Sequence, residues 1–290
     1  MPRAAWQGMV FMLAAMACFV LNDTCVKLAS ENLPTGQIIF LRGLIATPLI
    51  FLLAWQRGAL VRPAVLLHRS VYLRTLGEMC ATVLYLSALF HMPIANAVAM
   101  LQTLPLLTTA AAALFLRERV GVRRWSAIAI GLFGAMVIVR PGFEGFSAWS
   151  LSALGAACAM ALRDVSSRLL PAETPTLAVT AVTMLCVMML GGVLSLSGDW
   201  RPMAGIDFAY LIGAAVFLTL AYVFIINAMR AGEVSMVSPF VYSAIVWAII
   251  AQLFVFGAWP DGLTLAGSAV LVGTGVYMFS RERAAQRAAS

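Results

Sequence analysis

Two charged pairs with the same spacing stand inside strongly apolar stretches of the sequence. Asp23 and Lys27 lie four residues apart in "FVLNDTCVKLA", and Asp164 and Arg168 repeat that spacing in "MALRDVSSRLL". On a helix such residues share one face, and an ionisable side chain within a membrane is costly and often functional. The two acids could bind an amine or carry a proton; the alternative is an ion pair that orients the helix end.

Two more ionisable residues are expected within apolar helices. Arg42 would be costly there without a partner, and Asp23 or Glu78 could supply the opposite charge. The pair could hold helices together, or Arg42 could bind a carboxylate. Glu78 precedes Thr82 and Tyr85 at +4 and +7, which places the three on one helix face. This face could line a cavity for an amino acid, or Glu78 could pair with a loop arginine.

Two prolines predict helix kinks, because proline lacks an amide hydrogen. Pro105 lies in "MLQTLPLL" and Pro239 in "SPFVYSAIVW". The polar and aromatic residues beside these kinks are Gln102, Thr103, Tyr242, Ser243 and Trp247. A substrate pocket with such walls suits an aromatic or amphipathic ligand, whereas packing or lipid contact would equally explain Tyr242 and Trp247. The candidate cavity residues are therefore Asn22, Asp23, Arg42, Glu78, Thr82, Tyr85, Gln102, Thr103, Asp164, Tyr242, Ser243 and Trp247.

Some polar residues are expected outside this site. Arg163 adjoins Asp164, and since helix neighbours do not face each other, one of them should point elsewhere. Glu118 should pair with the arginines of its own segment, "RERVGVRR". The five cysteines lie in apolar segments without metal spacing. We expect neither a metal site nor a cofactor.

The elements that position these residues are membrane helices. The chain of 290 residues is 62% hydrophobic and only 11% charged, far from the composition of a soluble domain. Apolar runs and the breakers between them predict an all-α integral membrane protein with ten transmembrane helices. Their expected ranges are 8–29, 35–55, 71–91, 94–116, 124–140, 147–169, 176–197, 206–230, 234–257 and 263–280.

Basic residues predict the orientation of these helices. With ten helices and the N-terminus inside, 14 of the 19 basic residues face the cytoplasm. Three face outside and two lie within the membrane, as the positive-inside rule requires. Both termini are therefore expected in the cytoplasm. The net charge of +7 is explained in this way and does not indicate nucleic-acid binding.

The two halves of the sequence resemble each other. A shift of 141 residues superimposes Asp23 on Asp164, Lys27 on Arg168, Pro34 on Pro175 and Thr35 on Thr176. A shift of 140 places Gln102 on Tyr242, and Glu118 on Ala258, so the second copy lacks that acid. Five helices in each copy make the second copy inverted, which is typical of secondary transporters. We expect repeats at 1–142 and 143–290, the second with a short cytoplasmic tail.

These features resemble a known family. Lys27 with Pro34 and Arg42, and "LRER" at the end of the fourth helix, resemble the EamA family of the drug/metabolite transporter superfamily over essentially the whole chain. Thr183 stands where a second Arg42 would fall. The resemblance implies small-metabolite transport by alternating access in the bacterial inner membrane. More narrowly, the chain is similar to aromatic amino-acid exporters of the YddG type.

The expected function is therefore a secondary carrier, most simply an exporter of amino acids with aromatic ones favoured. Carriers of S-adenosylmethionine, purines or cationic drugs share the pattern. An intramembrane enzyme or a channel is a remote alternative, since the sequence has no HExxH, GxSxG or P-loop motif and no filter-like loop. The expected partners are a small-molecule substrate and the lipid bilayer. Proton coupling, and a monomer or a weak dimer, are left open.

Overall fold

The computed structural model describes residues 3–59, 66, 68–118, 121–140, 147–171, 174–196, 198, 200–231 and 237–289, and their regular structure is helical. Ten helices follow the predicted ranges closely except at the chain ends, where the first begins at Arg3 and the last continues to Ala289. They are α1 Arg3–Ala29, α2 Thr35–Gln56, α3 Arg69–His91, α4 Ile94–Phe115, α5 Val122–Val139, α6 Ala148–Arg168, α7 Thr176–Leu196, α8 Gly205–Ala231, α9 Ser238–Phe254 and α10 Gly262–Ala289. Of the basic residues used for orientation, Arg62 and Arg119 lie outside the described residues, and the side chains of Arg3, Arg281, Arg283 and Arg287 are not described.

Eight of these helices are long and apolar enough to cross a membrane, and α9 is a shorter apolar helix. The tenth, α6, has 21 residues but carries Arg163, Asp164 and Arg168 among them. These charges lower its hydropathy. The helix with the weakest membrane signal is thus one that bears polar residues expected to be functional.

Two helices are discontinuous. Helix α4 consists of α4a (Ile94–Leu101) and α4b (Leu104–Phe115), separated by a short turn at Gln102 and Thr103. Pro105 stands in the first turn of α4b, where the missing amide hydrogen does least harm. Helix α9 begins with a 3-10 segment, Ser238–Tyr242, which contains Pro239, and continues as an α-helix from Ser243.

Helix packing follows the sequence repeat. Helix α1 packs along α8, and its repeat counterpart α6 packs along α3. Likewise α9 lies on α1 as α4 lies on α6, and α2 touches α8 as α7 touches α3. We call α1, α2, α8 and α9 the first bundle, and α3, α4, α6 and α7 the second bundle. Each bundle therefore contains helices from both sequence copies.

The bundles are held together where backbones come close. A Cβ on Gly191 of α7 would lie 2.5 Å from the amide nitrogen of Phe40 on α2, so only glycine permits this approach. Helices α5 and α10 form a separate seam, in which a Cβ on Gly267 would lie 2.6 Å from the carbonyl oxygen of Gly134. Small residues allow such close helix contacts in membranes. Helices α5 and α10 therefore pack closely against each other within one chain.

An ion pair closes one end of this seam. Arg140 at the end of α5 donates a hydrogen bond to Asp261, just before α10. Partial burial disfavours the Asp261 carboxylate, but hydrogen bonds from Thr264 and the charge of Arg140 outweigh this and lower its pKa. We call this end of the molecule the opposite face. The end at which α1 begins and α10 finishes is the termini face.

Candidate functional site

A carboxylate and a phenol join the two bundles. The hydroxyl of Tyr85 on α3 donates a hydrogen bond of 2.6 Å to Asp23 Oδ2 on α1. Both residues are buried. Asp23 lies six residues before the end of α1, about 9 Å into the molecule at 1.5 Å per residue. The acid is therefore buried within the helical assembly, at a contact between the two bundles.

A buried arginine stands beside this acid. Arg42 Nη1 on α2 lies 3.3 Å from Asn22 Oδ1, and Asn22 Nδ2 donates to Asp23 Oδ1 at 3.0 Å. Arg42 is close enough to Asp23 and Glu78 for their charges to act on it. Asn22 thus separates the acid from the cation. We call this arrangement, in which Asn22 links the acid to the arginine, the Asp23 centre.

A second ionic cluster lies toward the termini face, within the second bundle. Arg163 Nη1 on α6 donates to Glu78 Oε2 on α3 at 2.7 Å, and its Nε donates to Asp164 Oδ1 at 2.7 Å. Glu78 and Arg163 are mostly buried, with 16% and 20% of their side chains exposed. We call this the Arg163 cluster. One arginine bridges two acids there, in contrast to the Asp23 centre.

Arg74 on α3 extends this cluster to α7. Its Nη1 donates to Thr183 Oγ1 at 2.8 Å, and its Nε donates to Ser167 Oγ at 3.1 Å. Thr183 is the residue that the 141-residue shift places on Arg42. The position at which the second copy lacks an arginine is thus reached by the guanidinium of Arg74 from a neighbouring helix.

The two discontinuous helices meet at their irregular segments. Gln102 Nε2, in the break of α4, donates to the carbonyl oxygen of Val241 in the 3-10 segment of α9 at 3.0 Å. Thr103 Oγ1 instead bonds to the carbonyl of Met100 in its own chain segment. The repeat-related positions 102 and 242 are therefore close in space, as the symmetry of the sequence suggests.

The remaining predicted residues lie on α3 and α9. Thr82 is half-buried on α3. The hydroxyl of Tyr242 occupies the space that a Cβ on Gly275 of α10 would need. The side chain of Tyr242 therefore points toward α10. Tyr242 Oη, Ser243 Oγ and Trp247 Nε1 are buried and have no hydrogen-bond partner among the described residues. Free donors of this kind can bind a ligand in a pocket.

One aromatic residue near the Asp23 centre and the Arg163 cluster was not predicted. Tyr222 on α8 is near enough to Glu78, Arg163 and Arg42 for their charges to act on it, and its ring meets Phe19 edge-on with centroids 5.8 Å apart. The sequence contains a signal for it, since the 140-residue shift superimposes Tyr222 on the predicted Thr82. Arg74 was predicted only as one of the cytoplasmic basic residues that orient the helices. Its position in the sequence does not indicate its partners on α6 and α7.

Three expected pairings differ in the structure. Arg163 and Asp164 do bond to each other, because the long arginine side chain curls back over its neighbour while its far end reaches Glu78. Glu118 pairs with Arg168 of α6 at 3.1 Å, a partner outside its own segment. Asp23 bonds to Tyr85 and Asn22, while Lys27 donates to the carbonyls of Leu89 and Met92. The proposed ion pair of Asp23 with Lys27 is replaced by these contacts.

Comparison with known proteins identifies the family. The sequence profile of the EamA-like transporter family matches the chain twice, at residues 6–140 and 147–281. The chain belongs to this family. It is therefore a transporter and not an enzyme, and the ten-helix architecture with two repeats is that of an EamA-like protein.

In the described part of the chain, no group of three His, Cys, Asp or Glu side chains could hold a metal ion.

Several characterised relatives move small molecules. The chain is 29% identical to a riboflavin transporter of Vibrio cholerae, with 92% of this chain and 90% of that protein covered. It is 29% identical to a pseudopaline exporter of Pseudomonas aeruginosa, with 91% and 93% covered. It is 23% identical to an S-adenosylmethionine uptake transporter of Rickettsia felis, with 96% and 94% covered.

A solved crystal structure shares the fold, with a TM-score of 0.65, 19% identity and coverage of 95% of this chain and 98% of that one. Together these similarities show a multi-pass small-molecule transporter. The narrower resemblance to aromatic amino-acid exporters of the YddG type receives no specific support, because the relatives carry other names.

Proposed function

We propose that this protein is a secondary carrier that moves a small zwitterionic metabolite by alternating access between its two bundles. The observation that supports this most strongly is the Asp23 centre, where Asn22 links a buried acid to a buried arginine at the contact between the bundles. A zwitterion offers the complementary pair of charges. Inverted-repeat carriers bind their substrate inside the helical assembly, and we place that site at this contact between the two bundles.

The charges assign an orientation to the substrate. Its ammonium group binds Asp23 and its carboxylate binds Arg42, both with charge-assisted hydrogen bonds. The aromatic rings of Phe19 and Tyr222 form an apolar wall beside these charges. This site fits amino acids and larger compounds with an amino-acid head, including S-adenosylmethionine. Aromatic amino acids remain one case of this class, since the named relatives do not single them out.

Asp23 also suggests how transport is driven. Its hydrogen-bond donors are the neutral groups of Tyr85 and Asn22, whereas Glu78 and Asp164 share Arg163. Asp23 can hold a proton or a substrate ammonium group, but not both at once. We therefore place proton–substrate exchange at this residue, which would couple transport to a proton gradient.

The Arg163 cluster is the mirrored half of the pathway. By the repeat, Asp164 is the counterpart of Asp23, and Arg74 supplies at Thr183 the charge that Arg42 supplies in the first copy. A substrate leaving Asp23 toward the termini face would meet this second cluster. We place that face in the cytoplasm of a bacterial inner membrane, on the distribution of arginines. The intramolecular seam of α5 and α10 favours a monomer.

Equilibrium binding in nanodiscs tests the substrate class. Radiolabelled phenylalanine and S-adenosylmethionine carry an amino-acid head, whereas riboflavin does not. We expect saturable binding of at least one of the two zwitterions. Asp23→Asn and Arg42→Gln should each weaken it roughly 10-fold or more, since a hydrogen bond to a charged group contributes about 1.5–3 kcal/mol. Binding of riboflavin that exceeds both zwitterions, or zwitterion binding unaffected by either substitution, would refute the proposal.

A further inference from the structure

A cavity at the opposite face lies on the seam between the two bundles. Its volume is about 330 Å³, and its lining includes Lys27 of α1, Phe90 and His91 of α3, and Gln252 and Phe256 at the end of α9. Elements of both bundles thus enclose it. It is separate from the Asp23 centre, although both use α1.

Lys27 is the only lysine among the 290 residues, and it is half-buried in this cavity. Its Nζ donates to the carbonyl oxygens of Leu89 and Met92, at 2.5 and 2.8 Å. An ammonium group has three donors, so these bonds leave one for a further acceptor. The residues that line the cavity include no carboxylate. Glu31, beyond the end of α1, is the acid whose charge acts on Lys27.

Two other features of the cavity favour an anion joined to an apolar group. Helix α4a begins at the wall of the cavity, and a helix N-terminus carries partial positive charge. In its first turn, Gln252 Oε1 accepts the amide hydrogen of Ala95 at 2.9 Å. The ring of Phe256 has its centroid 5.7 Å from Lys27 Nζ, and Phe90 adds a second aromatic wall. The positive charge is therefore placed beside apolar surface.

We propose that this cavity is a loading site at the opposite face, in which Lys27 binds the carboxylate of a ring-bearing or apolar organic anion. This deepens the proposed function, because such a carboxylate belongs to the expected substrates. Asp23 lies one helical turn from Lys27, about 6 Å along α1. Lys27 holds the end of α3 through the carbonyls of Leu89 and Met92, and an incoming carboxylate would accept its remaining donor.

The single lysine provides a direct test in the full-length protein. Labelling with [13Cε]lysine gives one side-chain resonance, from Lys27, and Lys27→Arg removes it to confirm the assignment. The protein is placed in phosphatidylcholine nanodiscs and titrated with 3-phenylpropanoate. The neutral amide of the same acid is the control ligand. We expect the acid, and not the amide, to shift the resonance saturably. Phe256→Ala should weaken the binding of the acid about 2- to 10-fold, as expected for loss of an aromatic contact.

A lipid phosphate has similar chemistry, so a second titration adds phosphatidylglycerol to the nanodiscs. A resonance that responds only to this lipid would overturn the loading site and identify a lipid site. No response to the acid, or an equal response to its amide, would also overturn it. Because the resonance reports binding at Lys27 alone, these results are independent of whether the Asp23 centre binds a zwitterion.

Discussion

The bond from Tyr85 to Asp23 joins the two bundles through one hydroxyl group. It is short, at 2.6 Å, and both partners are buried. A hydrogen bond to a charged acceptor is worth more than one between neutral groups. The phenol therefore fixes the orientation of the carboxylate that we assign to the substrate ammonium group.

Tyr85→Phe removes this hydroxyl and leaves the ring in place. We expect the affinity for the zwitterionic substrate to fall roughly 10- to 100-fold, following about 1.5–3 kcal/mol for a charged hydrogen bond. Equilibrium binding in nanodiscs measures the change. Tyr277→Phe is the matched control, because Tyr277 on α10 is 44% exposed. Equal affinity in the wild type and Tyr85→Phe would show that the hydroxyl does not support the site.

Arg74 allows a test of the mirrored half. If its guanidinium replaces the arginine missing at Thr183, Arg74→Ala should slow transport severalfold. Adding Thr183→Arg should restore much of the rate, since the charge then comes from α7 as Arg42 provides it from α2. Initial rates in proteoliposomes measure both variants.

The control for this rescue is Thr183→Gln in the Arg74→Ala background, which adds length without charge. The assignment of Arg74 fails if Thr183→Arg and Thr183→Gln behave alike. Purified variants should show similar melting temperatures, so that a difference in rate reflects the charge and not folding.

At the scale of helices, the sequence predicts nearly all of the fold. Long apolar runs and Pro/Gly breakers place most helix ends within a few residues, because the bilayer fixes their length and composition. Helix α10 instead continues to Ala289, past the predicted end at residue 280, because polar residues can extend a helix beyond the bilayer. The break of α4 falls beside Pro105, for the reason that proline lacks an amide hydrogen. Side-chain pairing could not be predicted in the same way. The hydrogen bonds of Arg74 with Thr183 and of Glu118 with Arg168 depend on which helices become neighbours.

The candidate site was predictable where the repeat adds information. Asp23, Tyr85 and Arg42 could be predicted because each is a polar residue within an apolar helix, which is informative in a membrane. Tyr222 was missed because a tyrosine in an apolar helix has many explanations, although the repeat pairs it with Thr82. Arg163 was misjudged because helix spacing describes Cα positions and not the reach of a long side chain.

The seam of α5 and α10 gives a prediction about stability. Gly267→Ala would place a methyl group 2.6 Å from the carbonyl oxygen of Gly134. The helices must separate, and we expect a loss of about 1–3 kcal/mol, as for other overpacked sites. Gly273→Ala on the same helix meets nothing within 4 Å and should be neutral or slightly stabilising, since alanine favours helix by about 1 kcal/mol.

Thermal unfolding in detergent, followed by tryptophan fluorescence, compares these two variants. Gly267→Ala should melt below the wild type and Gly273→Ala at or above it. Two variants with equal melting temperatures would mean that the seam is not tightly packed. Transport by Gly273→Ala should be unchanged, because α10 is outside both bundles.

For the whole molecule, alternating access requires that a path between the two bundles opens to each side of the membrane in turn. Thr82 is half-buried on the polar face of α3, and the five native cysteines can be replaced to leave Thr82→Cys as the sole thiol. A membrane-impermeant thiol reagent should modify it from either side of oriented vesicles. Added substrate should slow both reactions. Modification from one side only would contradict movement between two open states.

The most direct test of the central claim is counterflow in proteoliposomes loaded with the unlabelled zwitterion that binds most tightly. A trace of the same compound, radiolabelled, is added outside. A carrier with one alternating site predicts that label rises transiently above equilibrium and then declines, and that Asp23→Asn abolishes the rise. Label that reaches equilibrium without such a maximum would indicate a channel. A maximum that persists unchanged in Asp23→Asn would contradict the site that we propose.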